Sequence, residues 1–246
     1  MDIGIADIRP SVSSPLLPPP RSFRRSWSES PDAGEPIISS AILIFVRAPV
    51  AGQVKTRLAA AIGAEAALRV YRRLAEHAVA EARAAGDDVA VRIHHTPADA
   101  EAEVRAWLGD ATYLPQAEAE LGGRMRAAFE AAFADGFGRV VIIGSDLPDL
   151  SRDVLRRAFV ALEMHRAVLG PAADGGYYLL GMTEMIPGIF DGVPWSTPRV
   201  LDETLARLRA AGIHAAMLDT LADVDEAADL PAGWREWAAS PEGAPA

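Results

Sequence analysis

The chain has 246 residues, 50% of them hydrophobic, and a formal net charge of −10. That length can bury a full core, and an acidic chain without a sustained basic tract would repel a nucleic-acid backbone, so no nucleic-acid partner is expected. The absence of cysteine removes disulfides and thiolate metal sites and suits a reducing, cytoplasmic compartment.

Residues 1–36 are rich in Pro, Ser and Arg and show no periodic apolar face. They are expected to be a disordered tail, or sequence upstream of the true start codon. The opening MDIGIADIRP is acidic and broken by proline, unlike the basic and then apolar order of a signal peptide. No apolar run approaches the roughly 18 residues that a membrane helix needs, and no membrane association is expected. From residue 37 to 240 short apolar runs alternate with amphipathic ones, which predicts one folded domain.

Within that domain the runs AILIFV (41–46), DVAVRIHH (88–95), ATYLP (111–115) and RVVIIGS (139–145) read as strands. Helices are predicted between them over 63–86, 97–109 and 121–136, the first and third closed by glycine. A further helix is expected over 151–165 with Ser151 as its N-cap. RAVLGPA and GYYLLGM then follow as strands with only ADGG between them. The helix over 196–212 should start with Thr197 as N-cap and Pro198 in the first turn, and HAAMLD (214–219) reads as a last strand. Strand and helix in alternation imply an α/β fold with a mostly parallel sheet covered on both faces.

Ligands of such sheets bind beyond the carboxyl ends of the strands. That rule singles out three loops: RAPVAGQVKTRL, SDLPDL and AADGGYY. The first is not a P-loop, because Val54 and Pro49 stand where the two glycines belong. It offers Gly52 for close backbone approach, Lys55 as a mobile charge and Arg57 as a bidentate fork for phosphate; the competing reading is a solvated loop. Asp146 closes a buried strand, where a carboxylate is costly unless it is paired or coordinated, and hard oxygen donors suit Mg²⁺ or Mn²⁺. Its alternative is a residue complementing the dipole of the helix at Ser151. Asp174 suits either a general base for an acceptor hydroxyl or an Asx turn. Gly175 and Gly176 fit a tight connection between strands. Tyr177 and Trp195 suit stacking on a ligand or packing in the core, and Arg124, at a helix start, suits an anion or solvent.

In this order, FVRAPVAGQVKTRL, LGGRM, GSDLPDL, GPAADGGYYLLG and PWSTPRVLDETL resemble a bacterial family of glycosyltransferase-like proteins with the GT-A, nucleotide-diphospho-sugar transferase fold. The likeness covers about residues 40–230. One branch of that family is linked to arsenosugar biosynthesis and another to radical-SAM and selenium-associated gene clusters. The resemblance implies a three-layer αβα, Rossmann-like fold and a metal-dependent glycosyltransferase that uses a nucleotide sugar and a small-molecule acceptor. It implies that Lys55 and Arg57 hold phosphates, beside Gly52 and Arg124 as read from the residues above, that Asp146 binds the metal, and that Asp225 in DVDEAADL supplies a second ligand. EAA stands there in place of the usual TPE, and Asp223 is the rival. The acceptor side would be Asp174, Gly175, Gly176, Tyr177 and Trp195. Two other functions are compatible with the same residues: a guanylyl- or cytidylyltransferase that uses a nucleoside triphosphate and a phosphorylated acceptor, and a non-catalytic nucleotide-binding protein.

Overall fold

The computed structural model describes residues 39–240; the tail expected over 1–36 lies outside the described residues. A seven-stranded sheet is built from β1 (Ser40–Arg47), β2 (Val89–Thr96), β3 (Thr112–Pro115), β4 (Arg139–Ile143), β5 (Ala167–Pro171), β6 (Tyr177–Met182) and β7 (Ala216–Met217), in the order β3-β2-β1-β4-β6-β5-β7. β6 alone runs antiparallel to its neighbours; every other pairing is parallel. Because its direction is reversed, the start of β6 lies at the same sheet edge as the carboxyl ends of β4 and β5. The ADGG turn therefore joins the loops that follow those ends.

The helices are α1 (Thr56–Ile62), α2 (Ala64–Arg83), α3 (Glu101–Leu108), α4 (Leu121–Ala134), α5 (Arg152–Met164), α6 (Val200–Ala210) and α7 (Trp234–Ala239), with a short 3-10 turn at Ala98–Ala100. Successive strand side chains point to opposite faces, and the core divides accordingly. Ile42, Ile44, Val141 and Ile143 pack with α2, α3 and α5 on one face. Ala41, Leu43, Val140 and Ile142 pack with α4, α6 and the segment carrying Ile186, Ile189 and Phe190 on the other. A third cluster joins Leu58 of α1, the first half of α2, Ala238 of α7 and Val224. The result is the expected three-layer αβα arrangement.

Several predicted boundaries shift. Gly86 lies three residues beyond the last residue of α2, whose cap is Ala84; α4 ends at Ala134, capped by Asp135, with Gly136 beyond it at φ 90°. Ser151 caps α5 as expected, its Oγ accepting from Val154 N at 3.4 Å. α6, however, starts at Val200 with Arg199 before it. The Thr197 hydroxyl instead donates to Pro194 O at 2.7 Å and accepts from Arg199 N at 3.4 Å, so it closes the preceding turn. α1, within the loop after β1, and α7 have no counterpart in the periodic pattern. Each is under eight residues long, too short to display a repeating face.

His94 and His95 point to opposite sides of β2, as the strand period requires. The His94 ring lies 5.5 Å from that of Phe45, and its Nε2 is buried with no partner among the described residues. Burial, then the nearby Arg92 and His95 charges, lowers its pKa from 6.5 to about 4. The neutral ring is therefore favoured in the folded state. The stability tied to that preference is complete above pH 6.5 and is lost as pH falls through the folded pKa, by about 3 kcal/mol at pH 4. Urea unfolding between pH 4 and 7 should show this slope, and His94→Gln should flatten it.

Candidate functional site

The loops after β1 and β4 and the strand-like segment after β7 converge at one edge of the sheet. Lys55 adopts a left-handed backbone conformation, φ 45° and ψ 49°, as the N-cap of α1. Its side chain is 7% exposed, and its ammonium donates to Asp146 Oδ2 at 3.0 Å and Asp225 Oδ1 at 2.9 Å. Burial alone would lower the Lys55 pKa, but the Asp146 and Asp225 carboxylates outweigh it and the net shift is upward. Arg57 Nη1 lies 3.7 Å from Asp225 Oδ2, with most of its side chain exposed. Lys55 is thus committed to carboxylates, while Arg57 retains a solvent-facing guanidinium.

Asp223 joins this group. Asp146, Asp223 and Asp225 each offer an oxygen, all within 4.8 Å of one another. Burial, followed by the Asp146 charge, raises the Asp223 pKa above the usual carboxylate range. Three converging carboxylates are the hard oxygen donor set that Mg²⁺ or Mn²⁺ prefers, so these residues fit such an ion. The placement has a simple local cause. Val224 is fully buried against Leu58, Val70 and Leu74, and its N–H donates to Asp146 O at 3.1 Å. With Val224 turned inward, the residues on either side of it present their carboxylates together, as alternate positions of an extended chain do.

Two cavities share Arg57 and Asp225. The smaller, about 290 Å³, is lined by Arg47, Gln53, Lys55, Arg57 and Tyr71 among others. The Tyr71 hydroxyl accepts from Arg47 N at 2.8 Å and donates to Arg47 O at 2.9 Å, fixing α2 against the end of β1. The larger cavity, about 700 Å³, runs from the three aspartates past Asp174, Gly176 and Tyr177 to Trp195. Gly52 has φ 76° and nothing within 4 Å of an added Cβ, so its backbone angle and not a close approach calls for glycine.

Asp174 Oδ1 accepts from Gly176 N at 2.8 Å, an Asx turn at the hairpin tip, and Asp174 also lines the larger cavity. Gly175, at φ 89°, passes so close to Pro198 that a Cβ would stand 2.3 Å from its carbonyl oxygen. Trp195 packs against Gly122, where a Cβ would meet its ring at 2.4 Å, and its Nε1 is buried without a partner among the described residues. The Tyr177 hydroxyl faces Met125 Sδ at 3.9 Å, and burial raises its pKa. Arg124 lies apart from both cavities, its guanidinium donating to Ala119 O at 2.6 Å and Gln116 Oε1 at 3.3 Å. Arg47, Gln53 and Tyr71 are additions that the sequence motifs did not single out; Tyr71 lies between Val70 and Arg72 of a long helix and reads there as part of its buried face.

Removing the Lys55 charge leaves three partly exposed carboxylates facing one another. Lys55→Met should therefore cost about 1–3 kcal/mol, below the penalty for a fully buried pair. Denaturant unfolding at two ionic strengths checks this, with part of the loss recovered at high salt.

The family described as uncharacterized protein conserved in bacteria (DUF2064) matches residues 78–197. Among solved structures, a protein of Desulfovibrio desulfuricans provisionally named a nucleotide-diphospho-sugar transferase is 36% identical, with a TM-score of 0.72 over 76% of this chain and 82% of that one. Glucosyl-3-phosphoglycerate synthase of Mycobacterium tuberculosis, solved with Mn²⁺, UDP and glucosyl-3-phosphoglycerate, is 11% identical over 81% of this chain and 77% of its own, with a TM-score of 0.48. The inositol-1-phosphate CTP transferase of T. maritima is 12% identical over 81% of this chain and 94% of its own, with a TM-score of 0.47. No curated protein matches.

Proposed function

The chain belongs to the family of that Desulfovibrio desulfuricans protein, and from this premise we propose that it is a metal-dependent glycosyltransferase taking a nucleotide sugar and a small-molecule acceptor. The observation that carries this reading is the meeting of Lys55, Arg57, Asp146, Asp223 and Asp225 between two cavities at the carboxyl edge of the sheet. A cationic cavity beside a carboxylate cluster suits a diphosphate with a divalent ion. The ordered motifs support a place in the arsenosugar-linked or radical-SAM and selenium-associated branches, and the composition supports a cytoplasmic protein. Among the described residues no helix is long and apolar enough to cross a membrane.

Asp146, Asp223 and Asp225 would hold Mg²⁺ or Mn²⁺, which when bound supplies positive charge against the departing diphosphate. Arg57 binds and orients the phosphates with its solvent-facing guanidinium, Lys55 adds its charge beside them while it holds Asp146 and Asp225, and the loop around Gly52 lies against them. Asp174 takes the proton of the acceptor hydroxyl, through the carboxylate oxygen that the Gly176 N–H leaves free. The acceptor oxygen forms its bond to the sugar as the sugar–phosphate bond breaks, and nucleoside diphosphate leaves.

Two measurements test this. Asp146→Asn keeps the shape and removes one charge, so calorimetry in Mn²⁺ should show nucleoside diphosphate binding weakened at least tenfold with secondary structure unchanged. Undiminished binding would return Asp146 to a capping role. Wild-type protein should bind a nucleoside diphosphate and its sugar conjugate at least as tightly as the triphosphate, and Lys55→Ala should weaken both diphosphate ligands. Metal-dependent release of pyrophosphate from a triphosphate, abolished by Arg57→Ala, would replace sugar transfer with nucleotidyl transfer.

A further inference from the structure

The two cavities differ in electrostatic character, and the difference bears on the acceptor. The smaller one gathers Arg47, Lys55 and Arg57 around Asp225. The larger one has four aspartates, Asp146, Asp174, Asp223 and Asp225, against Arg57, the one cation among the described residues that line it, while Lys55 from the smaller cavity pairs with two of the four, Asp146 and Asp225. Arg57 itself already stands 3.7 Å from Asp225. Phe45, Leu121, Met125, Leu180, Trp195 and Val200 form the apolar part of the remaining wall, and Ser196 and Thr197 add hydroxyl groups to it.

Cations on the flanking helices are engaged elsewhere. Arg124 is held by Ala119 O and Gln116, Arg126 by Asp191, and Arg199 by Glu203 at 2.7 Å. None of the three lines the cavity. A phosphate or carboxylate entering it would meet like charge at one end and hydrocarbon at the other, with no cation to receive it beyond Arg57, which the donor's diphosphate would already engage. A divalent ion on the aspartates would not reverse this, because the donor's own diphosphate brings compensating negative charge.

We propose that the larger cavity selects an acceptor with an apolar body and a hydroxyl or amino head, and rejects phosphorylated and carboxylated acceptors. The word acceptor rests on the transferase reading; the selectivity rests on the cavity wall alone. The apolar body lies along Leu121, Met125 and Trp195, and its polar head reaches the aspartates. Such a site differs from one built for a sugar phosphate, which would carry its own arginine or lysine.

The test uses three probes with one body: 3-phenylpropan-1-ol, 3-phenylpropylamine and 3-phenylpropyl phosphate. Each is titrated by calorimetry or ligand-observed NMR into the full chain with Mn²⁺ and nucleoside diphosphate. The alcohol and the amine should bind at least tenfold more tightly than the phosphate. Leu121 is an exposed apolar residue on the cavity wall, so Leu121→Lys can be made without opening the core, and it should shift the amine-to-phosphate preference at least tenfold toward phosphate. Equal or tighter binding of the phosphate, no binding of any probe, or an unshifted preference in Leu121→Lys overturns the proposal. Failure of nucleoside diphosphate to bind, with the order of the probes intact, would instead overturn the transferase reading.

Discussion

One ammonium group holds the candidate site together. Lys55 bridges Asp146 and Asp225, residues 91 and 170 positions away in the chain, and so ties the loop after β1 to the loop after β4 and to the segment after β7. A left-handed backbone at a lysine costs roughly 1–2 kcal/mol, and two ion pairs from a nearly buried ammonium act against that cost. Without that bridge, three carboxylates would share a space of a few ångströms with only the exposed Arg57 guanidinium, 3.7 Å from Asp225, as counter-charge. The arrangement is therefore a balance in which the cation belongs to the acidic cluster as much as to any phosphate it meets.

Apolar packing supports this electrostatic arrangement from below. Val224 sits in the cluster formed by α1, α2 and α7, and Tyr71 of α2 grips the end of β1 through both backbone groups of Arg47. The long helix α2 thus serves the site twice, with its first half under Val224 and its ring at Tyr71. On the opposite side the ADGG hairpin is pressed against Pro198, and Leu201 N donates to Gly175 O at 3.0 Å. Both walls of the large cavity are consequently tied to helix starts and not to free loops.

The sheet was legible because strands buried on both faces, such as β1 and β4, read as short continuous apolar runs set between amphipathic segments. Lys55, Arg57 and Asp146 were legible as charges in strand-end loops that no predicted helix face required. What the sequence hid was geometry across long separations. Nothing in VKTRL says that Lys55 points at carboxylates, and Asp223 looked like a competitor of Asp225 when the buried Val224 makes them companions. Thr197 and Pro198 matched a helix start by residue type, yet the chain uses them for a turn, since Pro198 must pass over Gly175. Short elements such as α1 and α7 depend on tertiary contacts with Leu58 and Ala238, which no local pattern encodes.

The 170-residue separation between Lys55 and Asp225 also has a meaning during synthesis. A chain made from its N-terminus can pair β1 with β2, and then with β4, long before residue 225 leaves the ribosome. During that interval Lys55 has one of its two carboxylates, and Val224 has not yet filled its place under α2. The central strands can therefore be native while the ligand site is still open, and that site is closed by one of the last segments to emerge.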